Sequence, residues 1–151
     1  VEELSADRAA LLSDDFHQGF VKNCGIRLVA MQRGRAESVL EVTPAHTQQD
    51  GFVHAGVIAT MADHTAGYAA FSVVDEERRI LTMEFNINYL RPALGPGLVC
   101  RSRLLKEGRQ VLVAESEVYD LRDGREKLAA KAMVTLMAVQ AGRIMPSPER
   151  K

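Results

Sequence analysis

Cysteine is scarce in this 151-residue chain, with only Cys24 and Cys100 present. They show no CxxC spacing and offer no disulfide framework. Neither has an identifiable activating neighbour, which disfavours thiol catalysis. A charge excess of either sign is missing too. Nineteen Lys and Arg face 20 Asp and Glu, a net charge of −1, so no global field draws in nucleic acid or an anionic membrane. The local pairs Arg33/Arg35 and Arg101/Arg103 read as solvated strand faces, with anion contacts as the alternative. His17, His46, His54 and His64 are scattered, and neither HExxH nor a Cys/His cluster is present to hold a metal. The amino-terminal stretch is acidic and lacks a long apolar run, so a cytoplasmic protein is expected. There is no internal repeat and no low-complexity tract.

The length suits one domain over 1–151. Apolar and charged fractions of 46% and 26% exclude a disordered or fibrous chain. The longest apolar stretch, Val53 to Val74, is interrupted by His54, Asp63 and His64. It reads as a helix buried on most sides within protein, not as a membrane span.

Turn residues divide the rest. Ser5 is placed to cap a helix beginning Ala6-Asp7-Arg8, and a second short helix through Phe16, Phe20 and Val21 ends near Gly25, so 1–24 is an amino-terminal helical segment. Alternation from Ile26 to Met31 and from Glu37 to Val42 predicts a hairpin turning near Gly34. Pro44 stops that strand, and His46 to Gly51 is a polar loop. After Asp75-Glu76-Glu77-Arg78-Arg79 come strand-like runs at Ile80–Leu90, Leu98–Lys106, Gln110–Asp120 and Leu128–Val139, punctuated as in an antiparallel meander. Residues 141–151 form a loose tail, polar from Pro146 to Lys151. One apolar helix with one large antiparallel sheet gives an α+β architecture, a long central helix wrapped by a curved sheet of about six strands.

Asp63 is the sole formal charge between Val53 and Val74. A carboxylate in apolar surroundings costs several kcal/mol unless it is paired, hydrogen-bonded or protonated. Burial raises a carboxyl pKa, which suits a general base. A local polar cap or an ion pair across an interface explains the charge equally well at this point. The helix start at His54-Ala55-Gly56 offers free amides and the positive end of the helix dipole, a place to hold a developing oxyanion. Taken alone, it is an ordinary helix start. Asp63 lies eight residues beyond Ala55, about 12 Å along the axis at 1.5 Å per residue. One carbonyl cannot touch both within one subunit. If they cooperate, each site takes its helix start from one chain and its carboxylate from a two-fold-related partner. His64 projects about 100° away from Asp63 on a helix, so it reads as packing or interface. Ser72 lacks a GxSxG setting.

The run His46-Thr47-Gln48-Gln49-Asp50-Gly51-Phe52-Val53-His54-Ala55-Gly56, then Met61-Ala62-Asp63 and Gly67-Tyr68-Ala69-Ala70, resembles the hot-dog-fold thioesterases. It looks closest to the phenylacetate-pathway (PaaI-like) branch of the 4-hydroxybenzoyl-CoA thioesterase superfamily. The strand Thr82 to Ala93 is similar to that family's next strand, and the likeness covers roughly Gly25 to Val139. The resemblance implies Asp63 as general base or nucleophile and the Ala55 amide as oxyanion donor. It implies a turn-shaping role for His54 and a thioester- or water-placing role for Gln48, where many relatives carry Asn. Thr82 is the implied water-orienting residue. Ala55 stands where the family usually has Gly, which adds a methyl near the carbonyl. The resemblance also implies dimers, often paired into tetramers, with sites at the junction. There is no resident cofactor, coenzyme A entering as part of the acyl-CoA substrate.

Gly56, Phe52 and Tyr68 are the remaining expected substrate contacts, with Val57 and Met61 as further pocket residues. The expected activity is hydrolysis of a small or medium acyl- or aryl-CoA thioester. A non-hydrolytic acyl-CoA or acyl-carrier binding protein on the same scaffold is the alternative. Joint retention of Asp63, Gln48 and Thr82 argues against it. Hydratase chemistry lacks its expected His-Asp motif.

Overall fold

The computed structural model describes residues 3–144. In chain order the elements are α1 (Ala6–Phe16), α2 (Gly19–Cys24), β1 (Arg27–Gln32), β2 (Arg35–Glu41), a 3-10 turn (Pro44–His46), α3 (Ala55–Phe71), β3 (Arg78–Tyr89), β4 (Gly97–Glu107), β5 (Val111–Arg122), β6 (Arg125–Gln140) and α4 (Ala141–Ile144). The first four residues of the expected loose tail form α4; the stretch Pro146–Lys151 lies outside the described residues. Among the described residues, no helix is long and apolar enough to cross a membrane.

Local signals place these boundaries. Ser5 Oγ accepts from the Arg8 amide at 3.2 Å and caps α1. Gly25 closes α2 with φ 75°, and Gly34 turns the β1–β2 hairpin with φ 73°, both in the left-handed region that glycine enters freely. The strands form one antiparallel sheet in the order β1-β2-β4-β5-β6-β3. α3 touches all six strands, and the sheet curves around it.

Packing between helix and sheet uses small residues. Ala62, Ala66, Ala69 and Ala70 on α3 and Ala114, Ala130 and Ala132 on β5 and β6 are all buried, so the backbones approach closely. A buried polar seam runs through this layer. Ser38 meets Thr65 at 2.7 Å, Ser102 meets Ser116 at 2.6 Å, and Ser116 donates to the Ala62 carbonyl at 2.7 Å. Every hydroxyl in the seam has a partner, so its burial carries no unpaired-group penalty.

Two sequence expectations are corrected here. β4, β5 and β6 form the expected meander, but β3 stands outside it, paired with β6 at the sheet's far edge. The segment after β3 is a crossover, not a hairpin. Val53 donates to the Ala93 carbonyl at 2.8 Å, the Gly95 amide donates to buried Asp120 at 2.9 Å, and Val42 donates to the Pro96 carbonyl at 2.8 Å. Proline and glycine punctuate both connection types, so local turn chemistry could not separate them. The helix is buried on most sides and leaves one side open. Ile58, Met61, Ala62, Thr65, Ala66 and Ala69 are buried, whereas Gly56 is exposed and Thr60, Asp63 and Gly67 are half-buried. That 4-3-4 spacing is one continuous stripe along α3. Met61, expected in the pocket, is instead fully buried in the core, and Val57 packs against the core.

Candidate active site

The site is built from two stations on α3. The first is the helix start. The Gln48 backbone N–H donates to the Phe52 carbonyl at 2.8 Å, its side chain is hydrogen-bonded to Asp50, and Gly51, at φ 85°, turns the loop. The His54 amide donates to the His46 carbonyl at 2.8 Å, which anchors the entry to α3. His54 is the N-cap. Its Nδ1 accepts from the Gly56 amide at 2.9 Å, so the proton of the neutral ring sits on Nε2. A Cβ at position 56 would stand 3.0 Å from that Nδ1, closer than an ordinary contact. With Gly56 N–H held by the cap, Ala55 offers the first free amide of the helix, and no intrahelical acceptor exists for it.

The edge strand reaches the same station. Tyr89 donates its hydroxyl to the Ala55 carbonyl at 2.9 Å. Its inward direction depends on an irregularity between Thr82 and Glu84. Before it, Ile80 and Thr82 pair with inward-facing Ala138 and Leu136; after it, Phe85, Ile87 and Tyr89 pair with inward-facing Val134, Ala132 and Ala130. One extra residue at Met83 thus switches the strand's inward phase from even to odd positions.

The second station is Asp63. It is half-buried on the open stripe of α3, and its Oδ1 accepts from the Thr82 hydroxyl at 2.8 Å. Oδ2 has no protein partner among the described residues. A cleft of 240 Å³ opens beside it, bordered by Thr82, His64, Gly67 and Tyr68. Gln48, Phe52, His54, Ala55 and Gly56 therefore gather at the helix start, whereas Thr82 and Tyr68 gather with Asp63. The two groups are separated by about 12 Å of helix, and a single chain does not bring them together.

The Thioesterase superfamily model matches residues 50–127, more than half of the chain. The chain belongs to that superfamily. A thioesterase family protein of known structure from Silicibacter pomeroyi is 40% identical, with a TM-score of 0.85 over 88% of this chain and 98% of that one. The 1,4-dihydroxy-2-naphthoyl-CoA hydrolase of Listeria monocytogenes is 26% identical over 68% of this chain and 83% of its own. The E. coli PaaI protein shares the fold, with a TM-score of 0.78 at 20% identity over 89% of this chain and 95% of that one. This is a hot-dog fold, and the thioesterase-superfamily chain is an enzyme of the thioester-hydrolase class.

Other titratable groups near the site are settled by their packing. His64 stacks edge-on against Phe16 at 4.5 Å and lies 4.9 Å from the Tyr68 ring. Its Nε2 donates to the Phe16 carbonyl at 3.2 Å. Burial lowers its pKa from 6.5, against the opposing pull of that hydrogen bond and of Asp63 and Asp15. A neutral, stacked His64 fits packing better than proton transfer. Burial, with the Asp15 hydrogen bond adding to it, pushes the Tyr68 phenol far above its ordinary range, so it stays protonated. Burial likewise drives the Cys100 thiol up to about 11, which leaves it a poor nucleophile. Among the described residues, no three His, Cys, Asp or Glu side chains are placed to hold a metal ion.

Sequence reasoning missed Tyr89, Asp15 and Arg79. Tyr89 carried a signal only in its strand, and the phase switch at Met83 hid it. Asp15 on α1 and Arg79 on β3 border the Asp63 cleft. Both are ordinary surface charges in the sequence, and nothing local marks them.

Proposed function

We propose that this chain hydrolyses a small or medium acyl- or aryl-CoA thioester to a carboxylic acid and free coenzyme A, at sites shared by two copies. The observation that carries the reading is the Asp63–Thr82 pair on the uncovered stripe of α3, too far from the Ala55 amide to share a carbonyl within one chain. Asp63 is the general base, Thr82 and Gln48 place water and thioester, and the partner's helix start holds the carbonyl oxygen. His54 keeps that helix start in shape, Gly56 leaves room for the cap, and Phe52 and Tyr68 contact the substrate from the two stations.

In the reaction Asp63 takes a proton from water as the water oxygen bonds to the thioester carbon. The carbonyl oxygen becomes an oxyanion held by the Ala55 N–H. Its collapse breaks the C–S bond, and the proton on Asp63 passes to the leaving thiolate. Thr82 on Oδ1 leaves Oδ2 to take the proton.

The shared-site reading has support in the exposed edge. β3 is the sheet's last strand, and Leu81, Met83, Phe85 and Tyr89 on it are all exposed in the single chain. A free edge of this length with apolar side chains is a site for strand pairing. Pairing two β3 strands about a two-fold axis lays the two α3 stripes side by side, antiparallel. Free-thiol release from a panel of acyl-CoAs, with sedimentation velocity on the same preparation, tests both halves. Turnover by a dimer or larger species is expected; no turnover of any thioester refutes the activity.

A further inference from the structure

The cleft beside Asp63 continues past the reacting centre, along α3 away from the helix start. Gly67 borders it one turn beyond Asp63, and Phe71 and Tyr68 follow. A glycine inside a helix destabilises it by about 1 kcal/mol relative to alanine. A Cβ added at Gly67 would meet nothing within 4 Å, so no contact in the fold requires its absence. On the stripe that faces the partner in the shared site, what the missing side chain preserves is the width of the cleft between Asp63 and the neighbouring chain. Opposite, Arg79 lies over the Phe71 ring at 5.5 Å and donates to the carbonyls of Glu76 and Arg78, which makes a fixed wall.

One side of the cleft beyond Asp63 is polar. Tyr68 donates its hydroxyl to Asp15 Oδ2 at 2.8 Å, and Asp15 Oδ1 has no partner among the described residues. Asp15 comes from α1, outside residues 50–127 that match the superfamily. Tyr68 lies five residues beyond Asp63, about 7.5 Å along the axis. That is the reach of a short acyl chain whose carbonyl sits at Asp63. A hydroxyl at the end of such a chain finds a hydrogen-bond acceptor in Asp15 Oδ1. A carboxylate there meets Asp15 on one side and Asp63 behind it, with Arg79 as the opposing positive charge on the same cleft.

We propose that this cleft is the acyl pocket, that Gly67 sets its width, and that Asp15 with Tyr68 selects short acyl groups ending in a hydroxyl. The inference rests on the thioesterase reading above and names the substrate end of that same site.

The test compares kcat/KM for acetyl-CoA, hexanoyl-CoA, ω-hydroxyhexanoyl-CoA and adipoyl-CoA. The wild type is expected to favour ω-hydroxyhexanoyl over hexanoyl by about tenfold, the size of one hydrogen bond to a charged group. Asp15→Ala, an exposed change to the best helix former, is expected to bring that ratio close to one. Gly67→Leu is expected to lose at least ten times more on hexanoyl-CoA than on acetyl-CoA. Circular dichroism checks that each variant is folded, and Gly67→Ala serves in place of a misfolded Gly67→Leu, with the same sign of effect. Equal wild-type rates on the hydroxylated and plain chains, or a preference that survives Asp15→Ala, overturns the assignment. A preference for adipoyl-CoA overturns it as well, because Arg79 then reads the acyl end. No turnover of any of the four overturns the thioesterase reading itself, which separates that failure from this one.

Discussion

Thr82 donates its hydroxyl to Asp63 Oδ1 at 2.8 Å across 19 residues of sequence, joining the free edge strand to the middle of the central helix. The bond fixes the carboxylate's orientation and leaves its second oxygen toward the cleft. It also places Asp63, the proposed base, where the sheet ends, so the geometry of β3 bears directly on the chemistry proposed for it.

Asp63→Asn keeps the shape of the side chain and an oxygen for Thr82 but removes the base. A fall in kcat of at least ~100-fold is expected, the usual contribution of a positioned general base. Single turnover in ¹⁸O-labelled water checks the step itself. Label appearing only in the carboxylic acid product fits the base; label entering Asp63 first assigns it as a nucleophile.

Thr82→Ala is expected to lower kcat by about tenfold, the worth of one hydrogen bond to a charged group. Thr82→Ser restores the hydroxyl and recovers most of it. Failure of serine to rescue would mean that the methyl, and so packing against α3, is what matters at position 82.

The order of the elements was legible because each has a local cause. Ser5 capping α1, Gly25 closing α2, Gly34 in the hairpin and the apolar run of α3 all act within a few residues. The position of β3 was not legible, since Pro92, Gly95 and Pro96 look alike in a hairpin and in a crossover held by Asp120. At the site, Asp63 announced itself as a lone charge in an apolar helix. Asp15 and Arg79 did not, because what makes them part of the cleft is a contact with Tyr68 across 53 residues in one case and a position at the start of an edge strand in the other. Tyr89 was hidden by one extra residue at Met83, a phase switch that alternation cannot reveal.

The helix start depends on His54. His54→Ala removes the cap on the Gly56 amide and is expected to destabilise the fold by about 0.5–1 kcal/mol, a fall in Tm of a few degrees at about 2–4 °C per kcal/mol. Gly56→Ala is expected to act in the same direction, since its Cβ crowds His54 Nδ1 at 3.0 Å. Thermal melts of both variants check this; an unchanged Tm for His54→Ala would place the cap's worth elsewhere.

Stability should fall on mild acidification through His64. Burial holds its folded-state pKa below 6.5. Between those two values the unfolded chain binds a proton that the folded chain does not, so stability is full above 6.5 and declines as pH drops toward the folded value. Asp63 and Asp15 pull that pKa up and His17 pushes it down, so the net direction reflects burial among Phe16 and Tyr68. His64→Gln is expected to lose less Tm than the wild type between pH 7 and pH 5. Parallel melting curves over that range would show that other groups set the acid sensitivity.

A site shared by two copies, as proposed, predicts the behaviour of mixtures. Ala55→Pro deletes the N–H assigned to the oxyanion, and proline is tolerated at the first helical position because its fixed φ suits a helix and no intrahelical bond is lost. Asp63→Asn deletes the base. Each homodimer then lacks one component at both sites and is nearly inactive. Unfolding the two variants together and refolding them as an equimolar mixture gives mixed dimers in which one site carries both defects and the other carries neither. Random pairing about a two-fold axis predicts recovery of about a quarter of wild-type activity. If both components came from one chain, no mixture would regain activity, since every site would keep its own lesion. Recovery in the mixture, with neither variant active alone, is the outcome the 12 Å separation along the helix demands.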